Sequence, residues 1–487
     1  MSGLLQRTPC RIRPDASRTL CRLFVPGQET LIRGEPRAMA VIARVLDLSE
    51  DDVEIMLART LARFSGQYRD LAGALERHFQ LVAHRLGSKI RVGRARRQLI
   101  GAYFTQEYAI EGAALFNPSM VAHPDQAGLQ PGEARFVMSL RAVGEGHMSS
   151  IEFRTGTIGE SGIRLDPPGR FLDTGHALPV PHDRDLFQTK LADLGAEDEN
   201  ARFLWSLLPS RFTTAELNMA LAELRTQRLT RADSAALAER VRYMAASSYA
   251  VEFDEQSALA ERVLWPVAPA ESNGMEDARF VRFTDGDDVT YCATYTAFDG
   301  SQVAPHLLQT RDFQTFTVSP LAGPSARNKG MAIFPRRIAG RYTALSRPDR
   351  ESNAIAYSAD GHCWSEAITV QTPTRPWELI QLGNCGSPIE TPAGWLVFTH
   401  GVGPMREYAI GAILLDLERP ERLIAALPEP LLVTDDSERE GYVPNVVYSC
   451  GPMIHGNCIV LPYGCSDSSV RIAMVNLSLL LERLTRR

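Results

Sequence analysis

The sequence is short of cysteine, of long apolar runs and of net charge, and each shortage excludes a class of protein. Eight cysteines in 487 residues form no CxxC pair, which argues against a zinc ribbon, a dithiol redox motif or a disulfide scaffold. No window of about 18 residues is continuously apolar, so the sequence predicts no membrane-spanning helix. Basic residues number 52 and acidic residues 58, and the net charge of −6 gives no reason to bind nucleic acid or an anionic membrane.

Targeting signals and the common cofactor motifs are missing as well. The N-terminal stretch lacks the unbroken apolar segment of a signal peptide, and its arginines lack the amphipathic pattern of a transit peptide. We therefore expect a cytoplasmic protein with free thiols. The motifs of serine hydrolases, P-loop NTPases and zinc peptidases are absent, and the ten histidines show no metal-ligand spacing. We expect no metal and no organic cofactor.

Two segments carry helical signals. In residues 48–110, apolar side chains recur at helical spacing behind Ser49, which forms a capping-box pattern with Asp52. Residues 184–250 return to helix, with Thr213 and Glu216 as a second capping box. We predict an N-terminal helical module over residues 1–110 and a helical insertion over residues 184–250.

The rest of the sequence is typical of a mainly β protein. From Ala278 onward, short β-like runs are separated by Asp-Gly, Ala-Gly and His-Gly-Asn turns, and similar runs begin near Leu115. Hairpins that recur every few tens of residues predict a repeated small antiparallel sheet. Radial repetition into a propeller would protect the strand edges, and a β-sandwich is the alternative architecture. The predicted β domain spans residues 111–487 around the helical insertion.

One candidate for acid–base chemistry is the adjacent pair Glu276 and Asp277. In a regular strand, neighbouring residues point to opposite faces, so one carboxylate would face a central cavity while the other braces the structure. A local ion pair between Asp277 and Arg279, two residues on and on the same face, is the plainer alternative.

A second set of residues is cationic. Arg327 and Arg347 flank a predicted hairpin, so both would project from one end of the same sheet, and His400 lies in a later strand-like run. Two arginines and a histidine that meet in a cavity would suit an oxyanion with several acceptor oxygens, such as phosphate. Taken singly, the arginines also fit surface positions and the histidine fits a core position.

Together these segments resemble glycoside hydrolase family 130, the β-mannoside phosphorylases and related β-mannosidases. The family's Gly-x-Glu-Asp-Pro-Arg motif is matched from Gly274 to Arg279, with Ala278 in place of proline. Its Arg-Asn-Lys-Asp motif is matched from Arg327 to Lys329, with Gly330 in place of aspartate. Weaker matches follow in the family's order: Phe116-Asn117-Pro118, Ser139-Leu140-Arg141, Phe334 to Pro348, Gly394 to Val402, Leu414 to Pro420 and Tyr463 to Asp467. The resemblance covers residues 112–178 and 260–487.

This resemblance implies a five-bladed β-propeller with the active site on its central axis, and Asp277 as the general acid. The implied phosphate-binding residues are Arg327, Asn328, Arg347 and His400. The implied sugar-binding residues are Asn117, Arg141, Lys329 and Asp467. Family members carry a further phosphate-contacting lysine after a Trp-Glu segment, and Gln381 follows that segment here.

The charge of the site distinguishes two reactions. Inverting hydrolysis needs a second carboxylate about 6.5–9.5 Å from the acid to activate water. Phosphorolysis uses a nucleophile that is already anionic and that cations would hold in line with the anomeric carbon. The arginines and the histidine therefore favour reversible inverting phosphorolysis of a β-mannoside, preferably a 1,2-linked manno-oligosaccharide, with inorganic phosphate as co-substrate and α-mannose 1-phosphate as product. A β-mannoside hydrolase and a non-catalytic sugar-binding propeller are the alternatives.

Three expectations follow from this hypothesis. Asp277 must keep its proton near neutral pH, which requires burial or a nearby negative charge. Arg279 is accordingly expected to pair with Glu276 or with a backbone carbonyl rather than with the Asp277 carboxylate. The N-terminal helices, which compact family members lack, are expected to cap the propeller, restrict acceptor length or mediate assembly of a homo-oligomer.

Overall fold

A computed structural model describes residues 3–27, 37–86, 90–227 and 233–486, which fall into two compact units. The larger unit holds the chain up to Pro14, Ala113–Pro168 and the chain from Thr174 onward, and the smaller unit holds Asp15–Gly112 and Gly169–Asp173. The first strand, β1 (Leu5–Ile12), therefore groups with the larger unit. The sequence analysis placed that segment in the helical module over residues 1–110, so the structure draws the boundary differently.

The described residues of the smaller unit form one pair of strands and four α-helices. Strands β2 (Thr19–Leu23) and β3 (Thr105–Ala109) pair antiparallel. The helices are α1 (Arg37–Leu46), α2 (Glu50–Phe64), α3 (Leu71–Val82) and α4 (Arg94–Tyr103). Their apolar faces pack into a shared core, as the helical spacing predicts.

Helix α2 begins where the sequence predicts. The hydroxyl of Ser49 accepts a hydrogen bond from the backbone N–H of Asp52 at 3.1 Å and donates one to the Asp52 carboxylate at 2.6 Å. Behind this cap, Val53 and Leu57 are buried. The predicted N-cap is confirmed, because a cap depends only on residues that are neighbours in sequence.

After β1, the larger unit continues with an antiparallel meander of four strands that pair in chain order. They are β4 (Ala114–Ala122), β5 (Ala134–Val143), β6 (Ser149–Gly159) and β7 (Gly162–Leu165). This first meander supplies the strands predicted from the sequence near Leu115.

A helical segment follows the first meander. It consists of β8 (His176–Pro179), β9 (His182–Asp183), α5 (Arg184–Asp193), α6 (Glu199–Leu207), β10 (Arg211–Phe212), α7 (Thr214–Gln227), α8 (Asp233–Ala246) and β11 (Tyr249–Glu252). Thr213 and Glu216 form the predicted capping box at the start of α7, with hydrogen bonds of 3.2 and 2.7 Å between each side chain and the other's backbone N–H. Residues 228–232 of the predicted insertion lie outside the described residues.

The first and last strands of this helical segment, β8 and β11, belong to the sheet of the second meander. Its strands are β12 (Val263–Leu264), which pairs with β6, and then β13 (Gly274–Asp285), β14 (Asp288–Phe298), β15 (Val303–Thr310) and β16 (Thr315–Pro320). Strands β11 and β8 continue the sheet beyond β16. The helical segment therefore begins and ends at the outer edge of the second meander.

Three more meanders complete the larger unit. The third contains β17 (Ala332–Ile333), β18 (Tyr342–Ser346), β19 (Asn353–Ser358) and β20 (Ile368–Gln371). The fourth contains β21 (Gln381–Asn384), β22 (Ile389–Thr391), β23 (Gly394–Val402), β24 (Tyr408–Leu415) and β25 (Leu423–Ala426). The fifth contains β26 (Val447–Tyr448), β27 (Met453–His455), β28 (Cys458–Cys465) and β29 (Ser469–Asn476), and helix α9 (Leu477–Thr485) follows it.

The N-terminal strand completes the fifth meander. Strand β1 pairs antiparallel with β29 and forms the outer edge of that sheet, so the two ends of the chain share one sheet. Most residues of β1 are only partly buried, and the strand includes Pro9 and two arginines. Its sequence therefore lacks the apolar alternation that would have predicted it.

Hydrophobic clusters join the meanders in a cyclic order. Separate clusters lie between the first and second meanders, the second and third, the third and fourth, and the fourth and fifth. Another cluster joins the fifth meander back to the first through residues such as Ile12, Met120 and Val460. The fold is mainly β, as predicted. Within the described residues, no helix combines the length and apolar character needed to cross a membrane.

Candidate functional site

A cavity of about 250 Å³ receives side chains from all five meanders, and we call it the central cavity. It is lined by Phe116, Asn117, Arg141, Asp277, Lys329, Arg347, Gln381, His400, Arg406, Tyr408, Val443, Val446, Tyr448 and Asp467. All the site residues predicted from the sequence are therefore brought together here, except Arg327 and Asn328.

Local backbone irregularities turn two of these side chains into the cavity. Asn117 in β4 and Asp277 in β13 lie where the pairing register of the strand shifts. Both have left-handed backbones, with φ of +50° and +56°, and Asp467 has φ of +49°. Asn and Asp adopt this conformation more readily than other residues with a side chain. Because a β-bulge redirects the residue it contains, these positions point a polar group inward from otherwise regular strands.

The bulge also changes the relation between Glu276 and Asp277. Strand alternation predicts that they face opposite sides, but Arg141 donates to both, at 2.7 Å to Glu276 Oε1 and 3.4 Å to Asp277 Oδ1. The register shift interrupts the alternation here, and only Asp277 of the pair lines the central cavity, as expected. Glu276 also pairs with Lys329. Glu276 thus anchors two cations while Asp277 lines the cavity.

Asp277 is held in its ionised form. The Nδ2 of Asn117 donates to Asp277 Oδ1 at 2.7 Å. Burial raises the pKa of the Asp277 carboxyl, but the neighbouring cations and this hydrogen bond lower it below its usual value. The expectation that Asp277 keeps its proton near neutral pH is therefore wrong for the contacts that the structure shows.

Arg279 contacts Asp277 through the backbone. Its Nη1 donates to the backbone carbonyl of Asp277 at 3.0 Å, and its Nη2 donates to the hydroxyl of Tyr448 at 2.6 Å. The expectation that Arg279 pairs with a backbone carbonyl is confirmed. Its side chain is fully buried, so it fixes the left-handed turn at Asp277 from behind the cavity wall.

Asp467 behaves in the opposite way to Asp277. Burial and the negative charge of Asp277 raise the pKa of the Asp467 carboxyl to about 6, against weaker opposing effects of Arg141 and Arg406. Of the two carboxyl groups on the central cavity, Asp467 is therefore the one that takes up a proton first as the pH falls.

Arg347 and His400 form the opposite wall of the central cavity. Arg347 Nη1 lies 3.4 Å from His400 Nε2 and 3.4 Å from the carbonyl oxygen of Leu382. Among the described residues, no carboxylate pairs with Arg347, and its buried Nε has no hydrogen-bond partner. A guanidinium in this position lacks the counter-charge that buried cations normally have.

The ring of His400 is neutral. Burial and the positive charges of Arg347 and Arg279 lower the pKa of His400 well below its usual value. Its Nδ1 lies 3.2 Å from the carbonyl oxygen of Asn384, and because a carbonyl only accepts, Nδ1 carries the hydrogen. The unprotonated Nε2 therefore faces Arg347 and the cavity as an acceptor.

Three lining residues with polar groups were not predicted from the sequence. The ring of Tyr448 lies 4.8 Å from that of His400, between centroids, and Tyr408 lies 6.1 Å from His400 in a stacked arrangement. Arg406 has a left-handed backbone in the short loop before β24. None belongs to a spaced motif, so only the folded arrangement reveals them.

Arg327 and Asn328 lie on a different cavity of about 910 Å³. Asn328 has φ of +62°, its Nδ2 donates to the carbonyl of Pro348 at 2.7 Å, and its Oδ1 accepts from Arg350 at 3.0 Å. The loop is fixed in a conformation that leaves Arg327 exposed beside Asn328. The prediction that Arg327, Arg347 and His400 share one cationic pocket is therefore wrong for Arg327, which lines the other cavity.

Comparison with known proteins identifies the family. The model of glycoside hydrolase family 130, described as β-1,4-mannooligosaccharide phosphorylase, matches residues 229–486, which is more than half of the chain. The chain belongs to glycoside hydrolase family 130. It is an enzyme of the glycoside phosphorylase class.

Family 130 relatives cover about half of this chain. A 1,2-β-oligomannan phosphorylase from Thermoanaerobacter sp. is 31% identical over 244 residues, 48% of this chain and 80% of the relative. A β-1,4-mannooligosaccharide phosphorylase from Ruminococcus albus is 32% identical over 209 residues, 40% of this chain and 61% of the relative. The solved structure of a β-1,2-mannobiose phosphorylase from Listeria innocua aligns with a TM-score of 0.46 and 21% identity, over 77% of this chain and 93% of that chain.

The departures from the family 130 motifs lie on or beside the central cavity. Gly330, in place of aspartate, has φ of +97°, and a Cβ there would lie 3.8 Å from the Nε of Arg347. Gln381 lines the cavity where a lysine was expected. Ala278 is buried in the cluster between the first two meanders. Because residue 330 is glycine rather than aspartate, Arg347 has no carboxylate on that side. Because residue 381 is glutamine rather than lysine, the cavity wall has one positive charge fewer.

Proposed function

We propose that the protein is an inverting glycoside phosphorylase that cleaves β-mannosides with inorganic phosphate and releases α-mannose 1-phosphate. The observation that carries the proposal is the guanidinium of Arg347, which faces the same cavity as Asp277 and has no carboxylate partner among the described residues. A half-buried cation without a counter-charge is stabilised by an anion that binds beside it, and phosphate offers several acceptor oxygens to its planar donors.

His400 would complete the phosphate site as a neutral group. Its unprotonated Nε2 accepts the hydrogen of a protonated phosphate oxygen while Arg347 pairs with the charged oxygens. Such an arrangement holds phosphate by one cation and one acceptor rather than by the three cationic groups expected from the sequence.

Phosphate would also prepare the general acid. Its negative charge near Asp277 opposes the neighbouring cations and raises the pKa of the Asp277 carboxyl. In the reaction, a phosphate oxygen attacks the anomeric carbon on the face opposite the leaving sugar. The glycosidic bond breaks, and the departing oxygen takes the proton of Asp277, so the product has the inverted configuration.

The sugar at the cleaved end would occupy the other wall of the central cavity. We assign its binding to Asn117, Arg141, Lys329 and Asp467, which line the cavity with Asp277. The named relatives act on 1,2-linked or 1,4-linked β-mannosides, and the 1,2 linkage is our preferred assignment.

Hydrolysis is a second candidate, favoured by Asp467. This residue places a second carboxyl group on the cavity, and a pKa of about 6 leaves it ionised at neutral pH and able to accept a proton from water. The glutamine at position 381 also weakens the case for an anionic nucleophile.

The fold and location that we propose follow from the larger unit. The cyclic order of the clusters and the pairing of β1 with β29 support a five-bladed β-propeller closed by strands from both ends of the chain. All eight cysteines are free thiols, which supports a cytoplasmic location.

The decisive experiment measures the products formed from β-1,2-mannobiose and β-1,4-mannobiose with and without inorganic phosphate. We expect α-mannose 1-phosphate only when phosphate is present. Arg347→Gln should raise the KM for phosphate about 10- to 100-fold, because hydrogen bonds to charged groups contribute about 1.5–3 kcal/mol.

Arg311→Gln is the matched control, because Arg311 is exposed and, within the part of the chain that the structure describes, pairs only with Asp288 at the surface. It should leave the KM for phosphate unchanged. Release of free mannose at the same rate without phosphate, in the native protein and in Arg347→Gln alike, would contradict phosphorolysis and support hydrolysis with Asp467 as the base.

A further inference from the structure

The cavity of about 910 Å³ that contains Arg327 is lined by the helical insertion together with the second meander and the segments beside it, and we call it the insertion cavity. Helix α5 contributes Lys190, helix α8 contributes Tyr243, and the turn between β14 and β15 contributes Asp299 and Gln302. The sequence motifs of family 130 account for none of these four residues.

The insertion cavity adjoins the central cavity along the chain. Ala326, Arg327 and Asn328 line the insertion cavity, and Lys329, the next residue, lines the central cavity. Consecutive Cα atoms are about 3.8 Å apart, so one short segment forms part of both walls.

The two cavities also lie at the same end of the second meander. Gly274, three residues before Asp277 on β13, pairs with Phe298, and Asp299 of the insertion cavity follows Phe298 directly. A ligand that leaves the central cavity beside Lys329 would therefore meet the insertion cavity at the same end of the second meander.

The walls of the insertion cavity are fastened to the meanders. The hydroxyl of Tyr243 donates to Asp299 at 3.2 Å, and Lys190 Nζ donates to the carbonyl of Leu321 at 2.8 Å. The carboxylate of Asp193 accepts from the backbone N–H of Gly323 at 2.6 Å. These contacts fix α5 and α8 against the second meander and the segment that follows it, so the cavity is part of the folded structure.

The lining suits a neutral polar ligand. Four basic and three acidic side chains nearly balance, and Arg242 pairs with Glu239 at 3.5 Å. The ring of Tyr243 is 41% exposed, so it offers an aromatic face beside hydrogen-bonding groups such as Gln302. An anion would find no net positive charge comparable to that around Arg347. A polyhydroxylated chain would find both polar partners and apolar surface.

The size of the central cavity sets a limit on the substrate. Its volume of about 250 Å³ lies below the roughly 300–1,000 Å³ that is usual for small-molecule sites, whereas the insertion cavity lies within that range. An oligosaccharide longer than a disaccharide must therefore extend beyond the central cavity.

We propose that the insertion cavity binds the sugar units of a β-mannoside oligosaccharide that lie away from the cleaved bond, so that the insertion makes the enzyme selective for long chains. This inference rests on the proposed function, because it assigns the remote part of the same substrate. Tyr243 and Gln302 are the residues that contact the chain, and Arg327 lies where the chain passes between the two cavities.

The test compares substrates of two lengths. We expect Tyr243→Ala and Ala246→Trp, of which the second fills the cavity from an exposed position, to lower kcat/KM about tenfold for β-1,2-mannohexaose. For β-1,2-mannobiose, kcat/KM should stay within about twofold of the native value, because that substrate has no sugar units beyond the two that the cleaved bond joins. The same pair of lengths with β-1,4 linkage is measured in parallel.

Two controls match these variants in exposure. Tyr103, at the end of α4 in the smaller unit, is 42% exposed, so Tyr103→Ala removes an equally exposed ring. Ala215→Trp adds the same bulk at an exposed position of α7 outside the insertion cavity. Neither should change the ratio of the two kcat/KM values.

The outcomes separate this inference from the proposed function. A native enzyme that is active on both lengths, with a ratio unchanged in Tyr243→Ala and Ala246→Trp, would overturn the inference alone. Inactivity of the native enzyme on every substrate would contradict the proposed function. In that case calorimetric titration of the native protein with each mannohexaose decides: binding that Tyr243→Ala weakens supports the inference, and no binding or unaltered binding overturns it.

Discussion

On the side of the central cavity formed by the first and second meanders, Arg141 lies between the carboxylates of Glu276 and Asp277. On the side formed by the third and fourth meanders, no carboxylate of the described residues forms an ion pair with Arg347. The first side is compensated by its own charges. The second side leaves one charge uncompensated, and the missing partner is the property that suits it to an anionic substrate.

The same contrast explains why two lowered pKa values leave one group charged and the other neutral. On the compensated side, cations lower the pKa of the Asp277 carboxyl and keep it ionised. On the uncompensated side, burial and the nearby arginines lower the pKa of His400 and keep it neutral. A bound phosphate would oppose both effects, because its charge favours the protonated form of each group. The two sides are therefore coupled through the ligand that they share.

The largest expected effect comes from Asp277→Asn, which removes the acid from the compensated side. We expect kcat for phosphorolysis to fall about 10²- to 10⁴-fold, the usual contribution of a general acid. Phosphate affinity should be retained, because the change removes a negative charge from the cavity. Initial rates of mannose 1-phosphate release, with a phosphate titration by calorimetry, measure both quantities.

Asp288→Asn is the control for that substitution, because Asp288 is exposed at a strand end and pairs only with Arg311 among the described residues. A fall in kcat of less than tenfold for Asp277→Asn would mean that another group donates the proton, and Asp467 would be the first to examine.

Much of the fold could be predicted because its signals are local. The caps at Ser49 and Thr213 involve residues three apart, and the hairpins of the later meanders have short turns with glycine. Strand β1 could not be predicted, because its partner β29 lies more than 450 residues away in the chain and its own pattern is weak. An outer strand with one exposed face and few apolar residues gives little periodicity to detect.

The site residues could be predicted where the position of a motif in the chain and the direction of its strand point to the same cavity. Asp277, Arg347 and His400 come from three meanders and meet on one cavity, as the order of their motifs predicts. The prediction for Arg327 is wrong because the left-handed turn at Asn328 directs Arg327 to the insertion cavity. The lowered pKa of Asp277 could not be predicted, because Arg141 and Lys329, which lower it together with the neighbouring Arg279, are more than 50 residues away in the chain.

A second prediction uses the contrast between the two carboxyl groups of the cavity. The pKa of Asp467 is about 6 in the folded protein and about 3.9 in an unfolded chain. The folded state therefore binds the extra proton between these values, so this group's contribution to stability is present below about pH 4 and is lost as the pH rises through about 6. Asp467→Asn should raise the free energy of unfolding by about 1–3 kcal/mol at pH 7.5, and this gain should shrink towards pH 4.5.

Urea denaturation at both pH values measures that difference. Asp360→Asn is a control of opposite sign: hydrogen bonds from the backbone N–H groups of Cys363 and His362 outweigh burial and lower the pKa of Asp360. Its replacement should destabilise the protein at pH 7.5 and have less effect at acid pH. If Asp467→Asn destabilised the protein equally at both pH values, Asp467 would be held by contacts of its ionised form instead.

The smallest expected effect adds a charge to the uncompensated side. Gln381 lines the central cavity with Arg347 and His400, and Gln381→Lys would place a second cation there. We expect the KM for phosphate to fall about threefold, because an added cation that remains partly in contact with solvent contributes less than about 1 kcal/mol. Gln381→Met, of similar length and without charge, should not lower it. The direction of the change in the KM for phosphate decides this test, and its size matters less. A higher KM for phosphate in Gln381→Lys, with faster release of free mannose, would mean that the uncompensated side does not bind the nucleophile.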